Sequence, residues 1–364
     1  MKVTTHTRGN SFKLYKRRCK SMVRGGNLRL VGTWVVAVAL LLLVGLAMRS
    51  TTRREDGGEV RGPVRALSAI NRQAPHPLRQ PQHQNVLETQ YLNNVNVERC
   101  GGRKWVEGLP PLYIVTPTYP RAEQVPELTR TAQTLMNVPN VVWIVSEDSA
   151  ISSPSVVQYL NETGLSTVYL RVQMPSKYKR VKNKPRGVAN RMAGINWVRA
   201  NAKDGVLYFA DDDNTYDIRI FEQMRWTQRV SMFPVGLVTK LGVSTPIVKN
   251  GKVVGFYDGW IAKRKFPVDM AGFAVSVQFL LERPLAFMPY RVGYEEDGFI
   301  NSLGIKAADI EPLAFNCTKI WVWHTQTKKN EAATPVNKTS VTIGTNLDII
   351  SEQLWKGPGT KLKI

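Results

Sequence analysis

Cysteine is scarce in this sequence. Cys19, Cys100 and Cys317 are the only three among 364 residues, and their spacing fits no metal-binding motif. Acidic residues are also in short supply: 28 Asp and Glu stand against 50 Lys and Arg, for a net charge of +22. An excess of that size raises nucleic-acid binding as a first reading. Its distribution argues otherwise. Residues 1–29 hold nine basic residues and no acid, and subtracting them leaves +13 over the other 335. This milder excess suits anionic substrates or matrix polysaccharides.

Formal charge is absent from residues 30–48, a 19-residue run from Leu30 to Met48. That is close to the roughly 20 residues that span a bilayer as a helix. No small-residue cleavage site precedes Arg49, so a signal anchor is expected, with a cleaved signal peptide as the alternative. The basic flank places residues 1–29 in the cytosol as a tail. The remaining chain is then lumenal or extracellular, away from nucleic acid. Residues 49–108 lack any sustained apolar period and carry Pro75, Pro77 and Pro81 among Gln and Asn. They read as a stem of linker composition, with order expected from Leu109 and a catalytic domain over residues 109–364. On this topology Cys19 is cytosolic, either free or palmitoylated. Cys100 and Cys317 meet an oxidising lumen. They pair with each other, or Cys100 cross-links two chains, or Cys317 is a buried thiol. Asn161-Glu-Thr, Asn316-Cys-Thr and Asn337-Lys-Thr are glycosylation sequons consistent with a lumenal location.

From residue 109 strands and helices alternate. Tyr113-Ile-Val-Thr116, Val141-Val-Trp-Ile-Val145, Thr167-Val-Tyr-Leu170 and Val206-Leu-Tyr-Phe-Ala210 read as strands. Val125, Leu128, Ala132 and Leu135 recur at helical spacing, and so do Val188, Met192 and Ile195. This predicts an α/β domain with a mostly parallel sheet covered on both faces. The last strand runs directly into Asp211, Asp212 and Asp213. Carboxylates at the carboxyl end of a parallel strand lie where such sheets bind ligands. Three adjacent ones repel, and a hard divalent cation, Mg²⁺ or Mn²⁺, neutralises them well while also binding a nucleotide diphosphate. A solvated acidic turn or a structural Ca²⁺ loop is the plainer alternative. Tyr119 and Asp148 mark two more strand ends. The second half is less regular: Pro234–Val238 and Lys252–Phe256 flank a hairpin signal at Asn250-Gly251. Mixed β structure with carboxylates and aromatics there suggests an acceptor-binding half.

Several motifs occur in order: Val115-Thr-Pro-Thr-Tyr119, Glu147-Asp148, Pro185-Arg-Gly-Val188, Tyr208-Phe-Ala-Asp-Asp-Asp-Asn-Thr-Tyr216, Met224-Arg-Trp226, Pro267-Val-Asp-Met-Ala-Gly-Phe273 and Trp323-His-Thr325. Over about residues 112–327 the chain resembles the β-1,3-glucuronosyltransferases of animal Golgi membranes, glycosyltransferase family 43. The resemblance implies a GT-A-type nucleotide-sugar-binding sheet with a mixed β acceptor half, UDP-glucuronate as donor, a β-galactoside-terminated glycan as acceptor, Mn²⁺, inversion at the anomeric carbon and a homodimer. It puts Tyr119 and Asp148 on uracil, Arg186 and Arg191 on the donor's anionic groups, Asp211 in the donor site, Asp212 on ribose, Asp213 on the metal and His324 on the diphosphate. Arg264 and Asp269 match acceptor contacts, and Glu296 matches the catalytic base, with Glu295 the rival beside it. Two positions depart from the family pattern. Gln326 replaces an arginine that helps hold the diphosphate, and Ser244 replaces an acidic residue that contacts the acceptor. A different donor such as UDP-xylose, or a non-catalytic Golgi subunit, are the competing readings.

Overall fold

Both faces of the central strands carry apolar side chains, and both are covered. In Leu112–Thr118, Leu112 and Ile114 pack with Leu128, Ala132 and Leu135 of the helix Gln124–Leu135. The alternate residues Tyr113 and Val115 pack with Val188, Ile195 and Val198 of the helix Val188–Asn201. Such two-sided burial is the mark of a parallel sheet between helical layers. Gly194 permits the close approach on the second face, because a Cβ there would lie 2.5 Å from a Val115 methyl. The computed structural model describes residues 86–92, 99–100, 103–336 and 343–357, all within the unit Leu78–Ile364. The expected cytosolic tail and membrane anchor, Cys19 and the Asn337 sequon lie outside the described residues. Among the described residues no helix is long and apolar enough to cross a membrane.

The main sheet has eight strands in the order Val86–Leu92, Ser166–Val172, Val141–Asp148, Leu112–Thr118, Val206–Phe209, Phe273–Ser276, Val230–Met232 and Glu311–Pro312. The four from Ser166–Val172 to Val206–Phe209 are mutually parallel, as the strand–helix alternation predicts. The fold is therefore mixed α/β. A second sheet of five short strands, in the order Lys252–Tyr257, Val243–Lys249, Val235–Gly236, Val322–Trp323 and Thr215–Tyr216, lies beyond the carboxyl end of Val206–Phe209.

Two sequence expectations are corrected. Order begins before Leu109, since Val86–Leu92 pairs antiparallel with Ser166–Val172 and Glu88 meets Arg171 at 2.8 Å. An edge strand needs one neighbour and one covered face, so its mixed composition hid it. The hairpin at Asn250-Gly251 pairs Lys252–Tyr257 with Val243–Lys249, and Pro234–Val238 contributes only the short strand Val235–Gly236. The turn was legible, but its upstream partner mixes apolar with polar residues and is half exposed. Cys317 is a free thiol, pushed up to about 12 by burial.

Candidate active site

The second sheet assembles the site. Val206–Phe209 ends at the aspartate triplet, and Thr215–Tyr216, just past it, pairs antiparallel with Val322–Trp323. Register places Trp323 opposite Thr215, so His324 arrives beside the acids from more than a hundred residues away. The Thr325 hydroxyl then donates to the Asp213 carbonyl. On its other edge Val322–Trp323 runs parallel to Val235–Gly236, and the His324 N–H donates to the Gly236 carbonyl at 2.9 Å.

The repulsion expected within the triplet is relieved in part by the chain itself. Asp211 is ion-paired with Arg191, a buried residue of the helix Val188–Asn201. Gly187 leads that helix at φ 75°, and a Cβ there would lie 2.3 Å from the Arg191 guanidinium. Its absence clears the path for the arginine. Asp212, buried, meets Arg121 at 2.8 Å and accepts from the Thr118 hydroxyl at 2.7 Å. Burial nevertheless outweighs both partners and raises its carboxyl to about 6. Asp213 is half-buried and no arginine bonds it among the described residues. Its carboxyl is raised by burial and by the charge of Asp211. Among the described residues no group of three His, Cys, Asp or Glu side chains is placed to hold a metal ion.

His324 and Asp269 form the next layer. Nδ1 of His324 lies 3.3 Å from an Asp269 carboxylate oxygen, an ion-pair contact rather than a well-aligned hydrogen bond. That contact, against the opposing effect of burial, raises the imidazole to about 8. Asp269 is itself fixed. Its carboxylate accepts from the Ala271 N–H at 3.0 Å, and its own N–H donates to Ser244 Oγ at 3.1 Å. Ser244 is 1% exposed, so its hydroxyl holds Asp269 rather than reaching an acceptor. Gln326 approaches the far nitrogen of His324 at 3.5 Å.

Glu296 stands in the first turn of the helix Glu295–Ser302. Burial raises its carboxyl to about 7, and the charges of Asp269 and Glu295 add to the effect. Glu295 is raised by burial as well. Asp211, and to a smaller degree Glu296 and Asp269, raise the Arg191 guanidinium by their charge, against the opposing effect of burial.

The remaining expected residues are arranged more loosely. Tyr119 is 41% exposed at the end of Leu112–Thr118, with the Arg121 guanidinium 4.6 Å from its ring centroid. Asp148 accepts from the Met174 N–H at 3.0 Å. Its neighbour Glu147 is fully buried and bonded to Gln124, Ser153 and Tyr169, a structural role. Arg186 is exposed at the end of the basic run. Arg264 is buried, ion-paired with Asp258 at 3.0 Å and donating to the Trp260 carbonyl. In this structure its fork is occupied by the protein.

The model of glycosyltransferase family 43 matches residues 131–328, which contain the triplet, Asp269, Glu296 and His324. The chain belongs to glycosyltransferase family 43. Galactosylgalactosylxylosylprotein 3-beta-glucuronosyltransferase P of Drosophila melanogaster is 57% identical over 247 residues, covering 67% of this chain and 51% of that protein. Its Drosophila melanogaster counterpart S is 52% identical over 224 residues, covering 61% and 55%. Galactosylgalactosylxylosylprotein 3-beta-glucuronosyltransferase 2 of Homo sapiens is 46% identical over 229 residues, covering 61% and 70%. The chain thus spans about half the length of the two Drosophila relatives.

In this family-43 chain the sequence reading brought Asp211, Asp212, Asp213, His324, Asp269, Glu296 and Arg191 to the site, and the structure clusters them. It missed Arg121, Thr118 and Thr325. The signal for Arg121 was weak, since one arginine two residues past Tyr119 looks like any surface cation until the fold turns it onto Asp212.

Proposed function

We propose that this chain is a type II Golgi membrane enzyme with a lumenal GT-A-type domain that acts as a homodimer. It transfers glucuronate from UDP-glucuronate to the 3-hydroxyl of a terminal β-galactoside, with inversion and with Mn²⁺. The observation that carries the reading is the grouping beyond the strand end of Asp211 ion-paired with Arg191, the half-buried Asp213, and His324 3.3 Å from Asp269, with Glu296, a half-buried carboxyl raised to about 7, in the first turn of its helix. A base is most effective when its pKa lies near the working pH. Glu296 removes the proton from the acceptor hydroxyl as that oxygen attacks the anomeric carbon. The bond from that carbon to the diphosphate breaks, and its electron pair leaves with UDP. Arg186, exposed and without an ion pair among the described residues, is available to phosphate or to the glucuronate carboxylate. His324, kept charged by Asp269, offers its far nitrogen to an anion.

The residues fit a divalent cation of one kind. Asp211 and Asp212 each have an arginine, and Asp213 has no ion-paired arginine among the described residues. One carboxylate completed by substrate phosphates is a common way to hold a hard cation. Bound there, the ion would neutralise charge on the leaving diphosphate. The loss of an arginine at Gln326 favours a test of alternative donors. The purified full-length protein is assayed with UDP-glucuronate and UDP-xylose against a panel of β-galactosides, with and without Mn²⁺. Glucuronate transfer to a β-galactoside is expected. Transfer from UDP-xylose alone, or no transfer from any donor, would replace this reading by one of its competitors.

A further inference from the structure

Met224-Arg-Trp226 is a motif to which the catalytic centre gives no role. Arg225 is explained by packing: it is 1% exposed and its guanidinium donates to the carbonyls of Pro110 and Pro139 at 2.6 and 2.7 Å. Trp226 is not explained this way. Its ring is 58% exposed, where it adds little to a core. It lines a cavity of about 640 Å³, a size typical of small-ligand sites.

The cavity lies at the wrong end of the sheet for catalysis. Pro111 and Gly205, which line it, immediately precede Leu112–Thr118 and Val206–Phe209. The aspartate triplet follows the opposite end. From Gly205 to Asp211 the extended chain advances six residues at about 3.3 Å each, so the two ends lie roughly 20 Å apart. The lining is specific in its chemistry. Trp105 and Trp226 supply two indole rings. Tyr113 reaches the cavity from the sheet, 9% exposed, and its hydroxyl has no hydrogen-bond partner among the described residues. The charge of Asp204, second to burial, helps push that phenol up to about 12, so it stays a neutral donor. Gln278 is exposed, with its amide unbonded among the described residues.

Net charge decides the ligand class. Lys203 and Asp204 cancel, and the Arg225 fork is held by backbone carbonyls. Arg225 is left as the surplus positive charge, but it is 1% exposed and its fork is taken by the protein, so it is not open to grip phosphate, sulfate or carboxylate. Aromatic faces together with amide, phenol and carboxylate groups suit a ring that is apolar on its C–H face and hydroxylated at its rim. We infer that this cavity is a second carbohydrate-binding site, remote from the catalytic centre, that takes a neutral pyranose unit stacked on Trp226. It would grip another part of a glycan or glycoprotein while a different terminus is modified.

Saturation-transfer NMR on the full-length protein tests this with cellobiose and maltose, which carry no galactose, as neutral probes and free glucuronate as the anionic one. A saturable signal from a neutral disaccharide is expected, unchanged by excess UDP and retained in Glu296→Gln. Trp226→Ala should weaken it at least about tenfold, and Tyr113→Phe, which keeps the ring, should weaken it less. Both variants should keep the wild-type far-UV circular dichroism. Absence of any neutral-sugar signal, a signal kept at full strength in Trp226→Ala, a signal lost with UDP or in Glu296→Gln, or a stronger response to glucuronate would each overturn the inference.

Discussion

Asp269 joins the two halves of the site. Its carboxylate lies 3.3 Å from His324 Nδ1, its charge helps raise Glu296, and its N–H is anchored by Ser244 Oγ. One consequence is a pH dependence of stability. The His324 imidazole rises from 6.5 to about 8 in the folded state. A raised pKa in the folded state means the pair stabilises fully below about 6.5 and loses that contribution as pH rises through about 8. Because the ring is 33% exposed, the effect discounts to the order of 1 kcal/mol. Urea unfolding at pH 6 and pH 9 should show this loss in wild type and a smaller one in Asp269→Asn. Equal pH dependence in the two proteins would break the link between them.

Arg121 and Asp212 make a second, structural prediction. Both side chains are largely buried, at 10% and 8% exposure. Removing one partner leaves an uncompensated charge, which typically costs about 3–5 kcal/mol. Arg121→Ala should therefore lower stability by about 3 kcal/mol at pH 8. Its carboxyl partner can take up a proton, so the loss should shrink at pH 5. Adding Asp212→Asn should restore much of the difference. If the double variant is no more stable than Arg121→Ala, the pair is not the cause.

The metal prediction narrows for the same reason. With Asp211 and Asp212 engaged by arginines, Asp213 is the carboxylate left for a cation. Asp213→Ala should abolish the dependence of UDP affinity on Mn²⁺ measured by calorimetry, and it should remove most transfer activity. Binding of UDP that is equally tight with and without chelator in the wild type would count against a metal there.

How much of this was legible differs by type of contact. Strands buried on both faces announce themselves as apolar runs, so the parallel core and the strand-end position of the triplet were readable. The helix carrying Arg191 was readable from Val188 and Ile195. Val86–Leu92 and Val243–Lys249 were not, because half-covered strands carry polar residues and their pairing is set by distant partners. The same holds within the site. Local sequence shows that three acids adjoin and must be neutralised, but not by what. Arg121 and Arg191 do so only because the chain crosses the sheet between them and the triplet. Ser244 shows the converse: the family resemblance reads it as a lost acceptor contact, and its buried hydroxyl is instead an anchor for Asp269.

Glu296 supplies the sharpest test. Its carboxyl rises from 4.5 to about 7, chiefly because burial disfavours the charged form, with Asp269 and Glu295 contributing by repulsion. A general base works only when deprotonated, so the acid limb of kcat/KM should rise through about pH 7. Glu296→Gln keeps shape and removes the base, and general-base catalysis is typically worth about 10²–10⁴-fold. The variant should lose kcat by about that factor while UDP binds as in wild type, since none of the Asp211, Asp212 or Asp213 contacts involves this side chain. Glu295→Gln should retain most activity. It should also shift the acid limb to lower pH, because one of the charges that raise Glu296 has gone. A Glu296→Gln enzyme within a few-fold of wild type would remove Glu296 from the reaction. An inactive Glu295→Gln beside an active Glu296→Gln would transfer the role to its neighbour.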